Sequence, residues 1–138
     1  MAYIFTLVYA FLLFFFMIII HEFGHFIVSK FFGVKVHEFA IGMGPALWKK
    51  QKGETEYSLR LIPIGGYSRL KGEDDFEKDT DKNDPASFLN QSIPNKILIL
   101  CAGSLMNLLL CIVIFCILCW LNGFSFLPGI VRALAVTG

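Results

Sequence analysis

Two long stretches without a charged side chain restrict this chain more than anything else in it. Residues 1–20 contain no Asp, Glu, Lys or Arg, and residues 97–121 form a second apolar run of 25 residues. Continued to Phe32, the first run makes about 45 Å of α-helix at 1.5 Å per residue. The hydrocarbon core of a bilayer needs only about 30 Å, so both runs are long enough to cross it. With 56% hydrophobic residues and a mean hydropathy of +0.65, the chain is too apolar for an ordinary soluble domain. A secretory signal peptide is the competing account of the first run. Against it, no basic residue precedes the run and no small-residue cleavage site follows.

The net charge of +1 hides an asymmetry: eleven of the twelve Lys and Arg residues lie between 30 and 96, with Arg132 outside. The positive-inside rule therefore puts the 33–96 connection in the cytoplasm and both termini outside, in a multi-pass protein of the cell (inner) membrane. The basic residues alternate with acidic ones and form no stripe with aromatic platforms. The lipid bilayer is thus an expected partner and nucleic acid is not.

At the end of the first run stands His21-Glu22-Phe23-Gly24-His25. Residues four apart share a helix face, so His21 and His25 can present two imidazole nitrogens to one metal ion. Glu22 projects about 100° round the helix, where it is placed to handle a water rather than bind the metal. That is the division of labour in the H-E-x-x-H pattern of zinc hydrolases. An ionisable residue in a membrane helix costs roughly 2.5–3.5 kcal/mol on insertion scales. Three such groups in five residues call for a compensating partner, and a cation is the natural one. The alternative is a pair of buried histidines hydrogen-bonded in a core.

Gly33 is expected to end the helix, and the period then changes. Val34-Lys35-Val36-His37-Glu38-Phe39 alternates as a strand would and runs into the turn-forming Gly42-Met43-Gly44-Pro45. His37-Glu38 has Ile41 at its fifth position, so it does not repeat the ligand pattern and reads as a strand surface. Thr55-Glu56-Tyr57-Ser58-Leu59-Arg60-Leu61 alternates again after the turn Lys52-Gly53-Glu54, which with Ala46-Leu47-Trp48 predicts a small antiparallel β element. Pro63-Ile64-Gly65-Gly66-Tyr67 breaks the alternation. Its paired glycines let a backbone approach another chain closely, and the strand beside them presents an edge.

Residues 72–84 are strongly acidic. Asp79, Asp81 and Asn83 open like an EF-hand, but Asp84 and Asn90 replace its sixth-position Gly and twelfth-position Glu, which argues against calcium. Ser92, Pro94 and Lys96 mark the start of the second apolar run. Within it Gly103, Ser104 and Asn107 form a small and polar patch suited to helix packing, with a substrate-positioning role open for Asn107. Cys101, Cys111, Cys116 and Cys119 all fall in this run, and Cys116 and Cys119 have C-x-x-C spacing without a second pair. They read as thiols packed in a membrane helix.

The expected fold is a mainly α membrane protein with two transmembrane helices flanking a small membrane-associated antiparallel β element. The segments are a first helix at 1–32, the β element at 33–71, an acidic cytoplasmic loop at 72–92, a second helix at 93–122, and the start of an extracytoplasmic segment at 123–138.

Four motifs, taken in order, resemble the site-2 proteases, zinc metalloproteases that cut within the membrane. They are the His21 to His25 motif, Phe39-Ala40-Ile41-Gly42-Met43-Gly44-Pro45, Pro63-Ile64-Gly65-Gly66-Tyr67, and Ala102-Gly103-Ser104-Leu105-Met106-Asn107. The resemblance is closest to the bacterial, PDZ-containing branch that cleaves anti-sigma factors and remnant signal peptides. It implies that His21 and His25 bind Zn2+, that Glu22 is the general base, and that the β element, with Gly65, Gly66, Tyr67 and Asn107, binds a transmembrane protein or signal-peptide substrate. Ser104 stands where the family usually has Pro. The family's third ligand, an Asp in a Leu-Asp-Gly segment of a later helix, has no match, since every Asp here lies between 74 and 84. The resemblance therefore implies the N-terminal part of a zinc-dependent intramembrane endopeptidase. Two other accounts remain: a catalytically incomplete module that binds transmembrane segments without cutting them, and a purely structural two-helix protein.

Overall fold

A computed structural model describes residues 1–73 and 84–122 of the chain. The expected acidic loop and EF-hand-like spacing lie largely outside these residues, as does the 123–138 segment. The order of elements is helix α1 (Ala2–Phe31), strand β1 (Val36–Lys52), strand β2 (Thr55–Leu70), a 3-10 turn (Phe88–Asn90) and helix α2 (Ile93–Asn122). Compactness divides the chain into Met1–Met106 and Asn107–Gly138. Among the described residues, the second unit is the continuation of α2.

Both helices are long and apolar enough to cross a membrane, over Tyr3–Phe31 and Ile93–Leu121. Their apolar side chains are uncovered along much of their length, as at Leu7 (70% exposed) and Leu108 (57%). α1 stops where the sequence predicts. Gly33 has φ +75, its N–H donates to the Lys30 carbonyl, and the next N–H, of Val34, donates to the Ser29 carbonyl. This pair of bonds satisfies carbonyls that a helix end leaves orphaned, and a glycine takes the left-handed position without a Cβ penalty.

The two strands form one antiparallel two-stranded sheet. The sheet differs from the expected short hairpin in one respect: β1 runs through Gly42-Met43-Gly44-Pro45 and β2 through Pro63-Ile64-Gly65-Gly66-Tyr67. Gly42, Gly44 and Gly65 have φ of 88, 83 and 82, and the register is irregular between Ile41 and Trp48. The turn chemistry is thus spent on bulges that bend both strands while pairing continues. The bent hairpin doubles back on itself. Residues 38–41 pair on one edge with Arg69, Ser68, Tyr67 and Gly66, and on the other with Glu56, Tyr57, Ser58 and Leu59. Partner numbers fall along the first edge and rise along the second, so the doubled-back edge runs parallel.

A polar network ties this arrangement together and corrects the expectation that Glu38 lies on a strand surface. Glu38 is only 5% exposed. Its Oε1 accepts from Ser58 Oγ and Arg60 Nη2, and its Oε2 from the Tyr67 hydroxyl, each at 2.7 Å. Arg60 also donates to the Gly44 carbonyl at 2.7 Å and stacks over the Tyr67 ring. One carboxylate therefore joins three segments of the bent hairpin. Burial alone would raise the Glu38 carboxyl, but the three hydrogen bonds and the Arg60 charge overrule it and hold it at about 2. Burial, together with the bond to Glu38 and its charge, pushes the Tyr67 phenol up to about 12, so it stays a donor.

The hydrophobic core is small: Val34, Val36, Leu70 and Ile99, flanked by Phe26, Val28, Phe32 and Phe88. It joins the end of α1, both ends of the hairpin and the start of α2. Backbone bonds from Lys35 to Ala86, Lys71 to Lys35 and Phe88 to Lys71 close it.

Candidate metal centre

The His21 to His25 motif lies in the last third of α1, where that helix touches α2. Its fourth residue explains the closeness. A Cβ built on Gly24 would lie 2.6 Å from the Ala102 carbonyl oxygen and 3.0 Å from Met106 Cβ, so only a glycine lets the two backbones meet here. That approach brings His25 Nδ1 to 2.8 Å from the Ile99 carbonyl oxygen. A carbonyl only accepts, so Nδ1 carries the hydrogen and Nε2 is left bare, the tautomer a metal ligand needs.

The bare His25 Nε2 stands 3.2 Å from His21 Nε2, with the rings edge to face. Two nitrogens held 2.0–2.1 Å from one tetrahedral zinc ion are separated by roughly 3.3 Å. The pair therefore fits zinc in spacing, and the His25 tautomer suits a ligand; the same separation also suits a hydrogen bond from His21 Nε2 to His25 Nε2. Gly103 of α2 forms the floor. A Cβ there would lie 2.5 Å from His25 Nε2 and 2.6 Å from His21 Nε2, so the missing side chain is what leaves the two nitrogens clear. Among the described residues no group of three His, Cys, Asp or Glu side chains is placed to hold a metal. The described residues offer two candidate ligands, His21 and His25.

Glu22 is covered from the sheet side. A Cβ on Gly66 would lie 3.1 Å from Glu22 Cγ and 2.9 Å from the Ala40 carbonyl oxygen, and Ser68 Oγ donates to the Glu22 carbonyl at 3.3 Å. Beside it a cavity of about 240 Å³ is lined by Glu22, His25, Tyr67, Ser68, Glu73 and Ile99, among others. This cavity gives Glu22 and His25 a shared opening.

The structure thus gathers His21, Glu22, His25, Gly66 and Tyr67 from the residues singled out in the sequence. Gly65 is not with them; it is a bulge over the Met43 side chain. Tyr67 lines the cavity, while its hydroxyl is committed to Glu38. Asn107 lies on α2 in the second unit. Its Oδ1 is buried and has no hydrogen-bond partner among the described residues. α2 continues unbroken through Ser104. Sequence reasoning assigned no role to Gly24, the Ile99 carbonyl, Ser68 or Glu73. For Gly24 and Gly103, the signal was a small residue within each helix motif.

Comparison with known proteins agrees with this geometry. The sequence model of peptidase family M50 matches residues 9–138. Among curated relatives, the chain is 46% identical over 113 residues to a provisionally named zinc metalloprotease of Clostridium acetobutylicum, covering 82% of this chain and 32% of the relative. It is 43% identical over 120 residues to another of Clostridium perfringens, covering 86% and 34%. A third, of Chlamydia trachomatis, is 44% identical over 115 residues, covering 78% and 19%. The chain spans about a third or less of the length of these relatives.

Proposed function

This chain belongs to peptidase family M50, the site-2 proteases, and on that premise we propose that it carries the first two ligands and the general base of a zinc endopeptidase acting on transmembrane segments. The observation that carries the proposal is the 3.2 Å separation of two imidazole Nε2 atoms, one of them fixed in the ligand tautomer by the Ile99 carbonyl.

His21 and His25 hold zinc through Nε2, and at least one further ligand comes from outside the described residues. Bound there, zinc supplies Lewis acidity toward a water and a peptide carbonyl. The Glu22 carboxylate takes the proton of the attacking water and passes it to the leaving amine nitrogen. Gly66 keeps the sheet clear of the Glu22 side chain, and Ser68 holds that turn of α1 against the sheet. A helical substrate hides its carbonyls in internal hydrogen bonds and must be unwound before attack. Residues 66–70 pair with 36–41 on one side and have no second partner strand among the described residues. A substrate strand added there would recover its lost backbone bonds next to Glu22.

The uncovered apolar length of both helices supports insertion as a multi-pass protein of the cell membrane. The basic 33–96 connection then lies in the cytoplasm, and the substrate is a transmembrane protein or signal peptide. The test is Glu22→Gln in the full-length protein that contains this chain. Zinc content stays at the wild-type level while cleavage of a transmembrane substrate disappears. Persistent cleavage would remove Glu22 from the mechanism.

A further inference from the structure

The face of the sheet that packs on α1 extends beyond it. Trp48, Lys50 and Lys52 alternate along β1 and therefore share one face. Their cross-strand partners are Leu59, Tyr57 and Thr55, and Phe39 and Ile41 pair with Tyr57 and Leu59 on the far side. Phe26 of α1 packs on this face, with ring centroids 5.1 Å from Phe39 and 5.9 Å from Tyr57. Beyond Phe26 the face opens into a cavity of about 520 Å³ whose lining includes Phe39, Ile41, Trp48, Lys50, Lys52 and Tyr57. The cavity wall is mostly carbon, and the two lysines that line it, Lys50 and Lys52, stand toward the turn end of the hairpin.

The lysines divide by face. Lys49, on the opposite face, pairs with Glu56 at 2.7 Å. Lys50 and Lys52 have no carboxylate partner among the described residues. We infer that this shelf binds an anionic phospholipid, with the headgroup phosphate at Lys50 and Lys52 and an acyl chain along Phe39, Ile41, Trp48 and Leu59. Two features select a lipid. The shelf continues the uncovered apolar side of α1, where Phe23 and Ile27 are 40% and 44% exposed. Its one polar end is cationic, which complements a phosphate, and tryptophan and lysine are the side chains that anchor at the boundary between hydrocarbon and headgroups. The inference rests on the membrane insertion proposed above.

The chain has two tryptophans, Trp48 and Trp120, which allows site-resolved quenching. With Trp120→Phe, Trp48 is the one tryptophan left in this sequence. The protein is reconstituted in phosphatidylcholine vesicles containing either brominated phosphatidylglycerol or brominated phosphatidylcholine. Trp48 is expected to be quenched preferentially by the anionic lipid. Lys50→Gln and Lys52→Gln each lower that preference about five-fold, the effect of one lysine near an anionic headgroup, while Lys49→Gln leaves it unchanged. Equal quenching by the two lipids overturns the inference, as does relief of quenching by a transmembrane substrate peptide, which would assign the shelf to substrate. A Trp48→Phe companion reports Trp120. If Trp120 is quenched and Trp48 is not, the shelf is wrong and insertion stands; if neither is quenched, insertion itself fails.

Discussion

Replacing Gly103 by alanine should disable the metal site without touching a ligand. The added Cβ would lie 2.5 Å from His25 Nε2, 2.6 Å from His21 Nε2 and 2.7 Å from His21 Cδ2, where ordinary contact begins at 3.4 Å. One or both rings must retreat by about 0.9 Å, several times the roughly 0.2 Å tolerance of a metal–ligand distance. His25 cannot yield by rotating without losing its bond to the Ile99 carbonyl. If α2 moves away instead, the Gly24–Ala102 contact opens and the same bond breaks. Either response displaces an imidazole or removes the bond that orients His25. Disturbing the groups that orient metal ligands typically costs 10- to 100-fold in affinity, about 1.4–2.7 kcal/mol. The assay is zinc competition with a chromogenic chelator on the full-length protein in detergent, with circular dichroism to verify the helices. Ser104→Ala, one residue further at an exposed position, serves as the control and should bind as wild type. Folded Gly103→Ala with wild-type zinc affinity would refute the placement of both imidazoles against α2.

Two further outcomes follow from the sheet. Gly66→Ala puts a methyl 3.1 Å from Glu22 Cγ and 2.9 Å from the Ala40 carbonyl, so in the full-length protein it should lower the cleavage rate while zinc content holds. Equal loss of both would mean that Gly66 is needed for folding rather than for Glu22. Glu38 titrates at about 2 when folded and at the ordinary 4.5 when unfolded. Its depressed value stabilises the hairpin by about 3 kcal/mol at neutral pH, fully present above pH 4.5 and lost as pH falls toward 2. Near-ultraviolet circular dichroism should show acid unfolding of the hairpin in that window. Glu38→Gln should be less stable at pH 7 and lose the acid step, and an unchanged step would exclude Glu38 as its cause.

The helices and the motif pair were legible because they depend on local pattern. An uncharged apolar run and an i, i+4 histidine pair mean much the same wherever they occur. The bent hairpin was only half legible. Gly42, Gly44, Gly65 and Pro63 announced broken regularity, but whether such residues end a strand or bulge it depends on pairing partners brought together by the fold. Glu38 was misjudged for a related reason: alternation assigns it to a face, and nothing local tells that Ser58, Arg60 and Tyr67 converge there. Gly24 and Gly103 show the opposite case, where the space a side chain would fill became informative once α1 and α2 were seen to touch.

In the proposed site His21 and His25 bind one zinc ion through Nε2 while Glu22 stays off the metal. X-ray absorption at the zinc edge of the metal-loaded protein measures this directly. Two imidazole nitrogens at about 2.0–2.1 Å are expected, reduced by His21→Ala and by His25→Ala and retained in Glu22→Gln. An imidazole signal that survives the loss of both histidines would contradict the claim.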